Sequence, residues 1–198
     1  MATTVAHGLI GISTCCVMIS ALPAPKNYSL GLSALLLSAV AANLPDLDML
    51  VSLSLFSDHT LLHGGTTHSF AFAGLVAVLL WLIGRKRGVS PEIAVFGFFL
   101  VTSHVVVDWF TGPQWGLHPS HGLAPFWPFS DKPLQMPVTL FKGVIHGDLL
   151  PGALFTGLWE LIILGPPTVG LIVLSNKIMA NRRKQKVELQ HVGVRVYR

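Results

Sequence analysis

Charged side chains are scarce in this chain: Asp, Glu, Lys and Arg make up 11% of its 198 residues. Soluble domains carry about 25%, so a water-clothed globule is excluded. Cysteine is nearly absent as well. Cys15 and Cys16 are neighbours, which cannot readily bridge each other, and no CxxC spacing occurs. Neither a disulfide framework nor a thiolate zinc site is indicated, and the pair reads as small residues at a helix contact. No Lys or Arg precedes the first apolar run, so the basic region of a secretory signal is missing. There is no GxSxG element, which leaves a serine hydrolase built on Ser69 or Ser103 without its nucleophile turn. No internal repeat or low-complexity stretch is evident.

What is abundant is apolar surface. Hydrophobic residues reach 52% and the mean hydropathy is +0.64. The expected fold is all-α: a polytopic membrane helical bundle with about five apolar segments. The first covers roughly 6–22 and stops at Pro23 and Pro25. The second starts near Leu30 and stops at "NLPDLD", 43–48; it is short, and "MLVSLSLF", 49–56, reads as a re-entrant or interfacial continuation. The third covers 67–84, with Thr66 or Thr67 as its expected cap. The fourth covers 91–110, with Pro91 suited to a first turn. The fifth covers 149–175, and Gly165, Pro166 and Pro167 are expected to kink or break it. Residues 1–176 form the membrane-embedded domain and 177–198 a basic tail.

Arg85, Lys86 and Arg87 join segments three and four, and Lys177, Arg182, Arg183, Lys184 and Lys186 follow segment five. The positive-inside rule puts both clusters, and the C-terminus, on the cytoplasmic side. The loop 111–150 is then external. The basic tail also suits anionic lipid; no specific nucleic-acid partner is indicated, and protein partners are left unassigned.

The nine histidines equal the Asp plus Glu count. At 1.5 Å per residue, His68, His104 and Asp108 stand ~24, ~20 and ~26 Å from the basic turn, near the external face. His104 and Asp108 are one helical turn apart, which offers a cation an imidazole and a carboxylate on one helix side. Asp46 and Asp48 lie in a turn at the same level, where they either shape a helix end or converge on a cation. His7, in the first turn of segment one, is external too; alone it would be an interfacial histidine. In "HGGTTHSF", 63–70, the glycines allow a sharp bend, while His63 and His68 flank it at a helix N-terminus open to an anion. Ionisable groups inside a membrane segment face partners or cavities.

The elements "AHGLIG", "NLPDLD", "HGGTTHS", "SHVVVDWFT" and "GLAPFWP" resemble, in order, the motifs of the YdjM-like family of membrane-bound metal-dependent hydrolases. The resemblance covers about residues 6–128. It implies His7, Asp46, Asp48, His63, His68, His104 and Asp108 as metal ligands. Met49 stands where that family usually has His, and Gly64 replaces an Arg that could clamp phosphate. The family is distantly similar, by ligand order and HxxxD spacing, to the helical zinc phospholipase C and P1 nuclease fold, an analogy only.

Imidazole and carboxylate ligands without thiolate suit zinc first, with manganese or iron as alternatives. Seven candidates exceed one tetrahedral set, so about two ions are expected. The expected activity is hydrolysis of an ester or phosphoester, lipid-derived or small-molecule, at the external face of the inner membrane. Asp48 is the candidate to take the proton. The alternative is a metal-binding or cation-transporting membrane protein without catalysis. His118 and His121 complete or line the site. Trp115, Phe126, Trp127 and Phe129 suit an interfacial aromatic belt. His146 with Asp148 forms a further pair, and Glu160 is a deep carboxylate with no assigned partner.

Overall fold

The computed structural model describes residues 1–22, 30–58, 61–143 and 151–191. Pro23, Pro25, His146 and Asp148 lie outside them. The chain is an all-α membrane bundle: α1 (Thr4–Ala21), α2 (Leu32–Ala42), α3 (Leu47–Phe56), α4 (Phe70–Lys86), α5 (Glu92–Trp109) and α6 (Pro151–His191). Two two-residue strands, β1 (Thr111–Gly112) and β2 (Phe141–Lys142), pair in parallel across the base of the 113–140 loop. Among the described residues three helices, α1, α5 and α6, are long and apolar enough to cross a bilayer. A fourth crossing arises if α2 and α3, bent by 48° at residues 43–46, count as one span. At 1.5 Å per residue α2 alone reaches only ~16 Å, about half of a ~30 Å hydrocarbon core.

Small residues let the helices approach. A Cβ on Gly11 would lie 2.5 Å from Ala42 Cβ and 2.7 Å from the Ser38 carbonyl oxygen, so α1 and α2 meet where only glycine fits. Close contact through small residues is how membrane helices associate when lipid is as apolar as their side chains.

α1 and α6 run parallel, joined by a polar seam. Glu160 accepts from the Thr3 amide at 3.1 Å, the Ala6 amide at 3.3 Å and the Thr3 hydroxyl. Ser13 pairs with Thr168 at 2.9 Å and Ser20 with Ser175 at 2.9 Å. Arg182 then donates to the carbonyls of Ile19, Ser20 and Leu22. A helix end leaves four backbone groups without intrahelical partners. Here one carboxylate answers the positive N-terminus of α1 and one guanidinium its negative C-terminus.

That seam bears on α6, where the sequence left either a kink or a break open at Pro166 and Pro167. α6 does not break at Pro166 and Pro167. The prolines remove two helix hydrogen bonds, but α6 is pinned to α1 on both sides of them, by Glu160 and by Thr168. The helix continues past the apolar segment to His191, carried by Lys, Arg, Gln and Glu, which are good helix formers. At α4 the cap differs too. Thr66–His68 form a 3-10 turn, and the Ser69 hydroxyl, not Thr66 or Thr67, accepts from the Phe72 amide at 3.1 Å.

Candidate metal centre

Four chain segments deliver the site. α1 brings His7 one turn below its Glu160-capped end. The break between α2 and α3 brings Asp46 and, one residue into α3, Asp48. Gly64, at φ 77°, turns the chain so that His63 and His68 both face inward. α5 brings His104 and Asp108 from one face.

Four of these atoms converge as two triangles that share the His68–His104 edge. His68 Nε2 lies 3.1 Å from His104 Nε2, 3.5 Å from Asp46 Oδ1 and 3.4 Å from Asp108 Oδ2. His104 Nε2 lies 3.4 Å from Asp46 Oδ1 and 3.2 Å from Asp108 Oδ2. Ligand atoms held tetrahedrally at zinc-like bond lengths of about 2.0–2.1 Å are separated by ~3.3 Å. The spacing therefore fits one small divalent cation. His68, His104 and Asp108 are fully buried and the Asp46 side chain is 18% exposed.

The tautomers agree with that use. His104 Nδ1 is 2.8 Å from the Ala42 carbonyl, which can only accept, so Nδ1 carries the proton and Nε2 presents a lone pair. Thr67 donates its hydroxyl proton to Asp48 Oδ2 at 2.5 Å, so its oxygen accepts from His68 Nδ1 at 3.0 Å. Asp48 Oδ1 receives His63 Nδ1 at 2.9 Å. All three rings thus turn Nε2 away from the groups that fix them. Outer partners of this kind orient metal-bound histidines.

Unsatisfied atoms point the same way. Asp46 Oδ1, Asp108 Oδ2 and both nitrogens of His7 are buried without a hydrogen-bond partner among the described residues. Burial alone would push the His68 imidazole down, but Asp108, Asp46 and Asp48 hold it well above its ordinary value. Without a metal, the carboxylates recruit a proton instead. The donor set fits a divalent metal.

Of the seven predicted residues, Asp46, His68, His104 and Asp108 make these five close approaches. His7 stacks on His104 with ring centroids 3.7 Å apart, and its Nε2 is 3.4 Å from Asp108 Oδ1. His7 groups with Asp46, His104 and Asp108, and His63 groups with Asp46 and His68, each within 4.8 Å. A second ion, as the count of seven suggests, would have to share Asp46. Asp48 stands in neither group; its oxygens are taken by His63 and Thr67, behind the ligands. His118 and His121 also fall in neither group.

Some participants went unread in the sequence. Thr67 looked like a helix cap and instead holds Asp48. The Ala42 carbonyl leaves no sequence signal. Glu160 has a partner after all, the N-terminus of α1; the same turn donates the Ala2 amide to Asp108 Oδ1 at 3.0 Å. In the loop, Phe126 packs edge-on against Phe70 and Trp109, with centroids 5.7 and 6.4 Å away. Trp115 lies 5.3 Å from Trp159, and Phe129 is 93% exposed.

A family model described as the YdjM inner membrane protein matches residues 1–186. The chain belongs to the YdjM inner membrane protein family. The match takes in all seven candidates and α6 to within a few residues of its end, well beyond the 6–128 stretch that carries the motifs. No curated protein and no solved structure matches the chain, so the likeness to the zinc phospholipase C fold rests on ligand order and HxxxD spacing alone.

Proposed function

We propose that this YdjM-family protein is a membrane-bound, metal-dependent hydrolase of an ester or phosphoester, acting at the external face of the inner membrane. The observation that carries the reading is the quartet of Asp46, His68, His104 and Asp108, with five ligand-to-ligand separations of 3.1–3.5 Å. A divalent metal held there, zinc first, supplies Lewis-acid polarisation of a carbonyl or phosphoryl oxygen and acidifies water.

The chain's own residues do the rest. Asp48 and Thr67 fix the His68 ring, and the Ala42 carbonyl fixes His104. His7 closes the inner side. Asp46 is the one partly exposed ligand, so it is the carboxylate that can yield to substrate or water and accept a proton on leaving. Asp48, already bonded to two donors, is better suited to orienting than to the base role that the sequence suggests. The external orientation is supported by both basic clusters lying at the opposite end of the bundle from His68 and His104.

One feature of the quartet favours the second reading, a metal-binding protein without turnover. Four protein ligands make a closed set, as in structural zinc sites, whereas catalytic zinc keeps a position open. Cation transport is less favoured. Below Glu160 the α1–α6 seam offers hydroxyl pairs at Ser13 and Ser20, seven residues or ~10 Å apart, with apolar surface between them.

The test is reconstitution in liposomes of mixed phospholipid with generic ester and phosphoester substrates, following product and cation flux together. The hydrolase reading expects product that is lost with chelator and with Asp108→Asn, and no flux. Metal-loaded protein that yields no product from either substrate class and gives flux sensitive to Asp108→Asn would overturn it.

A further inference from the structure

Span lengths leave the place of α3 in the bilayer open, and its surface decides it. Leu47, Leu50, Val51, Leu53, Leu55 and Phe56 are each 47–67% exposed. Its polar side chains are satisfied within the protein. The Ser54 hydroxyl donates to the Val51 carbonyl at 2.8 Å, Ser52 donates to the Asp58 carbonyl at 2.5 Å, and Asp48 is held by His63 and Thr67. The next charged residue, Asp58, is exposed beyond the helix end.

The break before α3 also suits hydrocarbon depth. Irregular backbone is tolerated there only where protein covers it and its polar groups are bonded. Pro45 is fully buried. The amides of Asn43, Leu44, Leu47 and Asp48 donate to the carbonyls of Val40, Ala41, Leu44 and Pro45 at 3.0–3.3 Å. The Asn43 side chain donates to the Ala39 carbonyl at 2.8 Å.

α6 gives the depth scale. Its exposed apolar surface runs from Leu154 to Leu174, ~30 Å at 1.5 Å per residue, which is the thickness of a hydrocarbon core. The Ser13–Thr168 and Ser20–Ser175 pairs put Ile162 level with His7, ~12 Å short of the Leu154 end. The same offset puts Leu174 level with Ile19, and Leu30, just before α2, packs against Ile19. α2 thus starts at the far edge of that slab. It rises antiparallel to α1 until the Asn43 side chain reaches the Thr4 carbonyl at 3.4 Å. Bent by 48°, the 10 residues of α3 carry the chain ~10 Å further in the same direction. The apolar surfaces of α3 and α6 therefore stop at one level, ~10 Å beyond the metal centre. On the α4–α5 side the 113–140 loop stands over the centre, with the Phe70 amide donating to the Pro125 carbonyl at 2.9 Å. Its exposed Asp131 and Lys132 make that side the aqueous one.

We infer that α2 and α3 form one broken span whose free face is covered by lipid hydrocarbon, and that the metal centre at its break lies ~10 Å inside the bilayer. This sets the depth of the site in the hydrolase reading and does not depend on turnover.

The experiment uses the full chain in phosphatidylcholine nanodiscs, with Cys15→Ala and Cys16→Ala as background. A nitroxide is placed at Leu47→Cys or Leu55→Cys on α3, Leu154→Cys or Ile162→Cys on α6, or Asp131→Cys in the loop. Its relaxation by oxygen and by a water-soluble nickel chelate is compared. Oxygen should act several-fold more strongly than nickel on the α3 labels, with Leu47→Cys as deep as Ile162→Cys and Leu55→Cys as shallow as Leu154→Cys. Asp131→Cys should show the reverse preference. A second measurement needs no variant: in liposomes holding a phosphatidylcholine with a photoactivatable acyl chain, peptides 47–56 and 169–174 of the parent chain should label comparably, and 113–140 several-fold less. Nickel acting more strongly than oxygen on the α3 labels would put α3 in water or along the surface. Weak relaxation by both, with no lipid label on 47–56, would mean that a second copy of the chain covers it. Either result overturns the inference and leaves the hydrolase reading standing. Lipid-facing α3 labels in a metal-loaded protein that yields no product would sink the hydrolase reading alone.

Discussion

His68 Nε2 and His104 Nε2 face each other at 3.1 Å, inside the protein, with each ring's other nitrogen already engaged by Thr67 or by the Ala42 carbonyl. Two neutral rings so arranged point lone pair at lone pair. Only a cation between them, a proton or a metal, makes the contact favourable. The carboxylates of Asp46 and Asp108 at 3.2–3.5 Å supply the compensating charge. Three segments separated in sequence have been brought together for a small positive ion, and the following outcomes are expected.

Asp48 should tune the metal rather than hold it. Its oxygens serve His63 and Thr67, and Thr67 in turn receives His68. Asp48→Ala should weaken metal affinity about 10–100-fold, the usual cost of losing an outer-shell partner, and leave a titratable site. Competition with a metallochromic chelator reads this directly. Loss of all binding would make Asp48 a ligand.

Glu160 and Arg182 should be stabilising through α1. Glu160 is 3% exposed and caps one end of that helix. Removing a cap costs about 0.5–2 kcal/mol. Glu160→Ala and Arg182→Ala should each lower the thermal midpoint in detergent. Ser13→Ala should cost less, near the average of about 0.6 kcal/mol for a membrane hydrogen bond. A Glu160→Ala protein as stable as the parent would remove the clamp.

Gly11 should matter to the metal although it touches none. A Cβ there would press on Ala42 and Ser38 at 2.5 and 2.7 Å. Overpacking of this kind costs about 1–3 kcal/mol. Displacing Ala42 also moves the carbonyl that fixes His104. Gly11→Val should therefore lower both stability and metal affinity, whereas Gly74→Val, with open space around it, should lower neither.

The orientation predicts a cytoplasmic C-terminus. A reporter that fluoresces only in the cytoplasm, fused after Arg198, should be bright. A dark but well-inserted fusion would put the metal centre on the cytoplasmic side.

Much of this architecture was legible beforehand, for physical reasons. Apolar run length gave the helical segments, because the bilayer tolerates little else. His104 and Asp108 were readable as a pair because helix geometry is regular. The bend that carries Asp46 was signalled by the proline in "NLPDLD". The continuity of α6 through Pro166 and Pro167 was not legible, since it depends on contacts with α1 some 155 residues away. The same holds for Glu160, whose partner is a backbone end without side-chain identity. The different surroundings of Asp46 and Asp48 were equally hidden: two residues apart, they differ only in which neighbours the fold gives them.

The most direct measurement is metal content per chain, by elemental analysis of protein purified without chelator or added metal. The account predicts at least one equivalent of a divalent metal in the parent. Asp46→Ala, His68→Ala, His104→Ala and Asp108→Ala should each lose the quartet's ion while still inserting in the membrane. His63→Ala, outside the quartet, should retain it. A His104→Ala protein that inserts normally and keeps the parent's full metal content would contradict the account.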